Sequence, residues 1–513
     1  MSGQVATRAF LSPIRTLAWC LFGVLLFSYG LLAFDSGAKL SPLINDTQRP
    51  DLVSTYILDN ISGGENMRGS EEVSQVIPEW LNLIATLRTS EYAYGPDSLM
   101  ETEIYYYSMP ESRRKILSTH MMLGVVILVT GFLQFWPTFR RRNRRLHRYI
   151  GATYILAAII SMTLSCLHLL YSGPANTYDN FVFYIGLWIM LSGVVFSVSM
   201  AMWALYKKNY AYHLGWQALG FGFFMTAPLQ RIDWIVLSMF AGERSFNEMN
   251  ILVNAILFVQ AVLIAYVLFY INRSASPRTS NLDLNTEKNS GFLVSRYLAY
   301  FLAAGLSFLS VYQFVLAPGL SGNGLLLSMV PEAAVQWSGM IFDNKVLPWF
   351  VAVASVVILI VGTNLQMLVQ YERPQARGLA ALVIFCGLLL SLIFLFWAFQ
   401  LGLPTHARSL AGSAYAVMGV LLFCFIGLYG AMIYSGLWAR AREFLWFVIL
   451  LSAGPVLGYA TLMSMAIVGW APIEYVKQGD AYELAMIVSV FYPVLMAFMI
   501  AVYSKETKQY AIQ

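Results

Sequence analysis

Histidine is the residue type whose positions in this chain are best suited to chemistry. Only five histidines occur in 513 residues, and four of them lie at the ends of strongly apolar segments: His120, His147, His168 and His213. Imidazole is polar and ionisable, so a histidine kept in or beside a membrane needs a partner or a function. Its ring nitrogens are common metal ligands, and two rings from facing helices can bind one metal ion.

The elements that position these histidines are predicted to be membrane-spanning helices. The chain is 58% hydrophobic and 12% charged, whereas soluble domains carry about 25% charged residues. Apolar runs of about 20 residues, long enough to cross a bilayer, recur along almost the whole chain. The composition therefore predicts an all-α fold, a polytopic integral membrane bundle of about twelve helices in a lipid bilayer.

Basic residues predict the orientation of the bundle. Six arginines lie between the second and third predicted spans, at positions 140, 141, 142, 144, 145 and 148, and further lysines and arginines follow in every second loop. Cytoplasmic loops carry such an excess, so both termini are predicted to be cytoplasmic, and a bacterial inner membrane is the expected location. The net charge of +5 is explained by these loops and does not indicate a nucleic-acid partner.

Span positions and loop composition divide the chain into six predicted segments. The segment 35–115 is acidic and contains Trp80, so it is expected to form an extracytoplasmic cap or docking surface, or a partly ordered loop. The six segments are an N-terminal anchor helix 1–34, this acidic segment 35–115, a histidine-bearing bundle 116–272, a cytoplasmic linker 273–294, a second six-helix bundle 295–504 and a cytoplasmic tail 505–513.

The four histidines fall at two predicted depths. His120 lies about one turn into the second span and His168 about one turn before the end of the third, both towards the external side. His147 opens the third span and His213 opens the fifth, predicted at 212–238, both on the cytoplasmic side. Neighbouring antiparallel helices can bring the members of each pair to the same height.

Haem iron accepts two axial imidazoles from facing helices, and helical bundles hold such cofactors in their cores. We therefore interpret His120 with His168, and His147 with His213, as candidate iron ligands of haem b. Arg231, deep in the fifth span, is a candidate partner for a haem propionate, with Asp233 as an alternative neutralising neighbour.

The spacing of the histidines limits this interpretation. His147 and His168 are 21 residues apart on one predicted helix, which corresponds to about 31 Å, close to the whole hydrocarbon thickness. Two irons at these heights would exchange electrons slowly. Each histidine can alternatively extend towards the headgroups or donate to a backbone carbonyl. The sequence has no HExxH motif or grouped cysteines, so metals other than haem iron are less favoured.

A family resemblance covers about residues 116–240. The pattern runs from His120 through His147-Arg148-Tyr-Ile-Gly151-Ala-Thr-Tyr154 to His213-Leu-Gly-Trp216 and Arg231. It resembles a family of bacterial predicted membrane proteins of unknown function with a His…HRxxGxxY…HxxW pattern. Gln217 and Leu219 depart from that pattern, and His168 is not part of it. The resemblance implies a membrane architecture, with a distant analogy to b-type transmembrane cytochromes.

Three functions follow as hypotheses. The first is a haem-binding inner-membrane protein in electron transfer or quinone-linked redox chemistry, with other membrane subunits or an extracytoplasmic redox protein as partners. The second is a transporter without haem, its path lined by polar residues of the second half. The third is an accessory subunit of a larger membrane complex. No nucleotide-binding or nucleophile motif is present, so the sequence leaves open whether the protein is an enzyme.

Overall fold

This computed structural model describes residues 2–44, 78–95, 98–174, 177, 181–242, 244–274, 290–367, 374–402, 410–469 and 472–504. All regular structure in these ranges is helical, as the sequence predicts, and they contain no strand. Most of the predicted linker, the predicted tail, His406 and residues 45–77 of the acidic segment lie outside the described residues.

The chain divides into two compact units. The first comprises residues 1–208, 213–250 and 264–276, and the second comprises residues 209–212, 251–263 and 277–513. Helices up to residue 274 are α1 (Ser2–Leu40), α2 (Glu79–Leu87), α3 (Ser90–Tyr94), α4 (Glu101–Ser108), α5 (Glu111–Phe135), α6 (Pro137–Arg142), α7 (Arg144–Ser172), α8 (Phe181–Tyr206), α9 (Tyr210–Phe224), α10 (Thr226–Ala241) and α11 (Phe246–Ser274).

The remaining helices all belong to the second unit. They are α12 (Ser290–Val311), continued by a π-helical turn (Tyr312–Leu316), then α13 (Gly324–Leu327), α14 (Glu332–Phe342), α15 (Val346–Met367), α16 (Pro374–Leu401), α17 (Leu410–Tyr434), α18 (Trp438–Ser452), α19 (Gly454–Val468), α20 (Ile473–Gln478) and α21 (Asp480–Tyr503).

Ten described helices are long and apolar enough to cross a membrane, and one bent pair brings the number to eleven. This confirms a polytopic helical membrane protein. The difference from the predicted twelve lies in the fifth span, predicted as one helix over 212–238. It is divided into α9 and α10, of 15 and 16 residues, each rising only about 22–24 Å.

Proline explains both breaks. The ring of a helical proline collides with the carbonyl four residues earlier, which for Pro228 belongs to Phe224, the last residue of α9. By the same rule, the ring of Pro455 would collide with the carbonyl of Leu451, and α18 ends one residue later, at Ser452. A Gly-Pro pair inside the apolar run at 443–467, the eleventh of the predicted spans, predicts a break or kink at Gly454-Pro455, and a 50° bend there confirms it.

The helices of the first unit pack through small residues. Gly23, Gly30 and Gly37 recur at every seventh residue of α1, and a β carbon at any of them would lie 2.8 Å from a side-chain atom of α5. Small residues allow this close approach of two helices in a membrane. On its other side α5 packs against α7, so the helix carrying His120 lies between α1 and the helix carrying His147 and His168.

The described part of the acidic segment forms a helical cap on α10. The periodicity of residues 72–88 predicts a helix, and within the described residues a helix is present at Glu79–Leu87. The guanidinium of Arg88 donates to the Ser238 carbonyl at 3.0 Å, and the Tyr92 hydroxyl donates to the Trp234 carbonyl at 3.0 Å. The buried rings of Trp80 and Trp234 lie 5.5 Å apart. These contacts favour the cap interpretation for helices α2 and α3.

Polar residues of the second unit join its helices to one another. Gln366 on α15 donates its amide to the Arg442 carbonyl on α18, and Arg442 donates back to the Gln366 carbonyl at 3.1 Å. Tyr300 on α12 donates to Asn364 on α15 at 3.0 Å. Helix–helix hydrogen bonding therefore accounts for Asn364 and Gln366, which the transporter hypothesis would place along a path.

Candidate functional site

The four candidate histidines lie on three helices of the first unit. His120 is on α5, His147 and His168 are on the continuous helix α7, and His213 is on α9. Because α7 is unbroken between residues 147 and 168, these two histidines are separated by about 31 Å along its axis. Any site at His147 is therefore separate from any site at His168.

The first pair consists of His120 and His168, which lie within electrostatic range of each other. His120 Nδ1 lies 3.1 Å from the carbonyl oxygen and 2.9 Å from the hydroxyl of Ser161 on α7. We assign the proton to Nδ1 because a carbonyl can only accept, and this tautomer leaves the Nε2 lone pair of neutral His120 available. The hydroxyl contact is compatible with either tautomer, since a hydroxyl both donates and accepts. His168 Nε2 makes a long contact of 3.4 Å with the Ser172 hydroxyl one turn later.

The second pair consists of His147 and His213, which also lie within electrostatic range of each other. His213 Nδ1 lies 2.9 Å from the carbonyl oxygen of Ala201 on α8, so the argument made for His120 places its proton on Nδ1 as well. His147 Nδ1 is buried and has no hydrogen-bond partner among the described residues. This pair therefore combines an anchored ring with a buried ring nitrogen that lacks a partner.

The backbone bonds of His120 and His213 are compatible with two interpretations. A donated Nδ1–H can satisfy a structural histidine, which is the alternative stated for each residue on its own. Metal-ligating histidines also donate their other ring N–H to a carbonyl or carboxylate, which fixes the tautomer and the ring orientation. The same arrangement at one member of each pair leaves one Nε2 per pair free to bind.

The space beside a glycine near His120 differs from the space beside a glycine near His147. Gly124, one turn after His120, has no atom within 4 Å of the position of a β carbon. A β carbon at Gly151 would instead lie 3.2 Å from the amide oxygen of Gln134, and Gln134 also donates to the His147 carbonyl at 3.1 Å. Gly151 therefore serves close packing of α5 against α7, whereas Gly124 leaves open space beside His120.

Arginines accompany both pairs. Arg140 on α6 lies within electrostatic range of His147 and of His213. Burial, with a smaller contribution from Arg141, lowers the pKa of Arg140. Arg113 lies within electrostatic range of His168 and its guanidinium stands 5.2 Å from the Tyr171 ring. Each pair thus has a cation within reach of an anionic group bound beside it.

Arg231 lies in a different environment from the one predicted. Its guanidinium stands 5.4 Å from the Trp80 ring and 5.2 Å from the Trp234 ring, and it donates to Gln230 at 2.8 Å. It also lies within electrostatic range of Glu103 on α4. Arg231 therefore belongs to the contact between the cap and α10, and these contacts give it a role that requires no haem propionate.

Glu103 is a buried acid that the sequence did not single out. It is 3% exposed, and desolvation raises its pKa from 4.5 to about 7, against the opposing effects of Arg231, the Trp80 indole and Lys39. Asp35 acts in the same direction as desolvation. The neighbouring acid Glu101 is exposed. The two acids differ in burial because they lie on different sides of α4, and sequence alone does not show which side is covered.

Helix α4 connects this acid to the first histidine pair. The Tyr105 hydroxyl donates to the Ser172 hydroxyl at 3.3 Å, and the Tyr106 ring lies 6.4 Å from the His168 ring in an edge-on arrangement. His213 on α9 thus lies near the end of α7 that carries His147. Arg231 on α10 lies near α4, and α4 contacts the opposite end of α7, which carries His168. Together, α9 and α10 cover the length of the predicted fifth span as a broken helix.

Comparison with known proteins adds an architecture to this geometry. The described residues hold no group of three or more histidine, cysteine or acidic side chains arranged for a metal ion, so each histidine pair offers two ligands. No curated protein and no solved structure matches the chain. Residues 117–269, which include all four histidines and Arg231, match a family described as "Predicted membrane protein (DUF2306)", and over this part the chain is similar to a membrane protein family of unknown function.

Proposed function

We propose that the protein binds haem b at its histidine pairs and takes part in electron transfer within the membrane. The observation that carries the proposal is the anchoring of one imidazole in each pair. His120 donates Nδ1–H to the Ser161 carbonyl and His213 donates Nδ1–H to the Ala201 carbonyl. In both cases a carbonyl of a neighbouring helix orients the ring, and Nε2 is left as a ligand.

The residues of the second pair fit such a group well. His147 has a buried Nδ1 without a partner among the described residues, so its ring is not fixed by a hydrogen bond at that nitrogen and would be available to help hold the group. Arg140 lies close to both rings and would meet a propionate. When bound, haem supplies reversible one-electron transfer, while these side chains hold it and balance its charge.

The first pair fits less directly, because the Ser161 carbonyl that anchors His120 lies seven residues, about 10 Å, along α7 from His168. Gly124 leaves space next to His120, but the contact of His168 Nε2 with the Ser172 hydroxyl has to open before that nitrogen can bind iron. At 3.4 Å this contact is long, and opening it costs little. The pair therefore supports a second haem, with Arg113 as the nearby cation.

The separation of the pairs defines how two sites would work. About 31 Å along α7 is too wide for fast direct transfer, so each site would exchange electrons with its own partner. Quinone-linked chemistry is part of this proposal, because a lipid-soluble carrier can reach either site from the bilayer. A redox protein outside the membrane or another membrane subunit could serve the other face.

The test is a visible spectrum of the purified protein in mild detergent, oxidised and then reduced with dithionite, with haem quantified per chain. We expect a b-type spectrum. His147→Ala or His213→Ala should remove one haem, and His120→Ala or His168→Ala the other. His406→Ala, at the remaining histidine, is the matched control and should retain both. A folded, colourless protein from cells well supplied with haem would refute the proposal.

A further inference from the structure

Glu483 is a buried carboxyl in the second unit that none of the roles above uses. It lies in the first turn of α21 and is 2% exposed. Both of its side-chain oxygens are buried, and neither has a hydrogen-bond partner among the described residues. An isolated carboxylate is costly to bury, and in a membrane bundle such a group marks an ion or proton site by default.

Among the described residues, the charged group with a resolved effect on Glu483 is another acid. Asp480, one turn earlier on α21, is buried and adds a second acid within electrostatic range. Lys477, the basic residue nearest to it in sequence, is exposed, and no ion pair joins it to Glu483. A bound cation would therefore stabilise Glu483 far more than any contact that the described residues provide.

Buried hydroxyl groups lie at the same end of α21. Tyr482, next to Glu483 in sequence, is within electrostatic range of Tyr459 on α19. Tyr459 also lies within electrostatic range of Tyr415 on α17, whose buried hydroxyl has no hydrogen-bond partner among the described residues. Hydroxyl groups both donate and accept, so this end of α21 places several polar groups near the buried carboxyl.

A bent helix packs against the helix that carries Glu483. The span formed by α18 and α19 is bent by 50°, whereas α21 is continuous and contains Pro493 ten residues after Glu483. Helix α19 approaches α21 so closely that a β carbon at Gly458 would lie 3.0 Å from the Ser489 side chain and 3.1 Å from the Ala485 carbonyl. Irregular helices are common where membrane transporters bind ions.

We propose that Glu483 is a proton-binding site and that the second unit takes up and releases a proton there. A proton needs no cavity and no further ligand. A sodium or divalent ion needs about six oxygen ligands, whereas Asp480 and Glu483 form no group of three acidic, histidine or cysteine side chains in the described part of the chain. This site is independent of haem.

The experiment is modification by dicyclohexylcarbodiimide, which enters apolar regions and reacts with protonated carboxyl groups. The full-length protein in detergent is treated at several pH values, and the labelled residue is identified by peptide mass. We expect Glu483 to be labelled, less so as the pH is raised. Asp480→Asn and Glu474→Gln, an exposed acid of α20, are controls that should retain the label, and Glu483→Gln should lose it.

Infrared spectra of the unlabelled protein supply a second readout, which does not depend on access of the reagent. At the pH at which labelling is strongest, the wild type minus Glu483→Gln difference should contain the carbonyl stretch of a neutral carboxylic acid. A carboxylate band in place of that stretch at the same pH would overturn the proposal. Labelling that is unchanged in Glu483→Gln, with the variant folded as judged by gel filtration, would overturn it as well.

Discussion

The cap formed by α2, α3 and α4 should be weakened by a rise in pH, through Glu103. When the cap opens, this carboxyl meets water and its pKa returns from about 7 to its ordinary value of 4.5. Between these values the closed form binds more protons than the open form, so closure weakens as the pH rises through this range. Below 4.5 both forms hold the proton, and above 7 neither does.

The size of the effect follows from the shift in pKa. Each pKa unit corresponds to about 1.36 kcal/mol, so the shift from 4.5 to about 7 makes opening easier by about 3 kcal/mol above neutral pH. This is roughly a three-hundredfold increase in the open population. Because Glu103 is only 3% exposed, solvent screening reduces this estimate little.

Hydrogen–deuterium exchange of the α2–α4 amides measures this opening directly. After correction for intrinsic exchange rates, protection should be greater at pH 5 than at pH 8. Glu103→Gln should abolish that difference and raise protection at pH 8, because a neutral amide avoids the cost of burying a charge. Glu101→Gln, at the exposed acid of the same helix, should behave like the wild type. An unchanged pH dependence in Glu103→Gln would refute the reasoning.

Two further substitutions test the packing of the first unit. Gly131→Ala should lower the unfolding temperature, because a β carbon there would collide with the buried Phe221 ring and overpacking costs about 1–3 kcal/mol. Gly124→Ala is the control, because a β carbon at Gly124 meets open space. Equal unfolding temperatures for the two variants would contradict this packing. Trp234→Ala should make the cap more sensitive to limited proteolysis, because it removes the ring that contacts Trp80 and Arg231. Truncation of a buried tryptophan to alanine lowers stability by about 3–5 kcal/mol. Trp203→Ala, at an exposed tryptophan of α8, should leave the cleavage pattern unchanged.

Much of the fold can be predicted because its causes are local. A run of apolar residues is long enough to span lipid or it is not, and the proline ring interrupts a helix through the carbonyl four residues earlier. The bend at Gly454-Pro455 was predicted on this basis. The break before Pro228 obeys the same rule, but the surrounding apolar run led to the prediction of one continuous fifth span.

The candidate site could be predicted only in part. Helical rise places His147 and His168 at opposite ends of one helix, and antiparallel neighbours bring a second histidine to each end. Arg231 has contacts that such reasoning did not anticipate. Its depth suggested a partner within the bundle, but Trp80, which lies 151 residues earlier in the chain, packs against it through the cap.

The sequence by itself determined the membrane class, the positions of most helices and the two depths of the histidines, because these follow from hydrophobicity and from the fixed rise of an α-helix. Only the tertiary structure decided which carbonyls accept from His120 and His213, because those acceptors belong to neighbouring helices. It also decided that Glu103 and Glu483 are buried. Burial is a property of the side of a helix that another helix covers, and no residue carries that information in its own type.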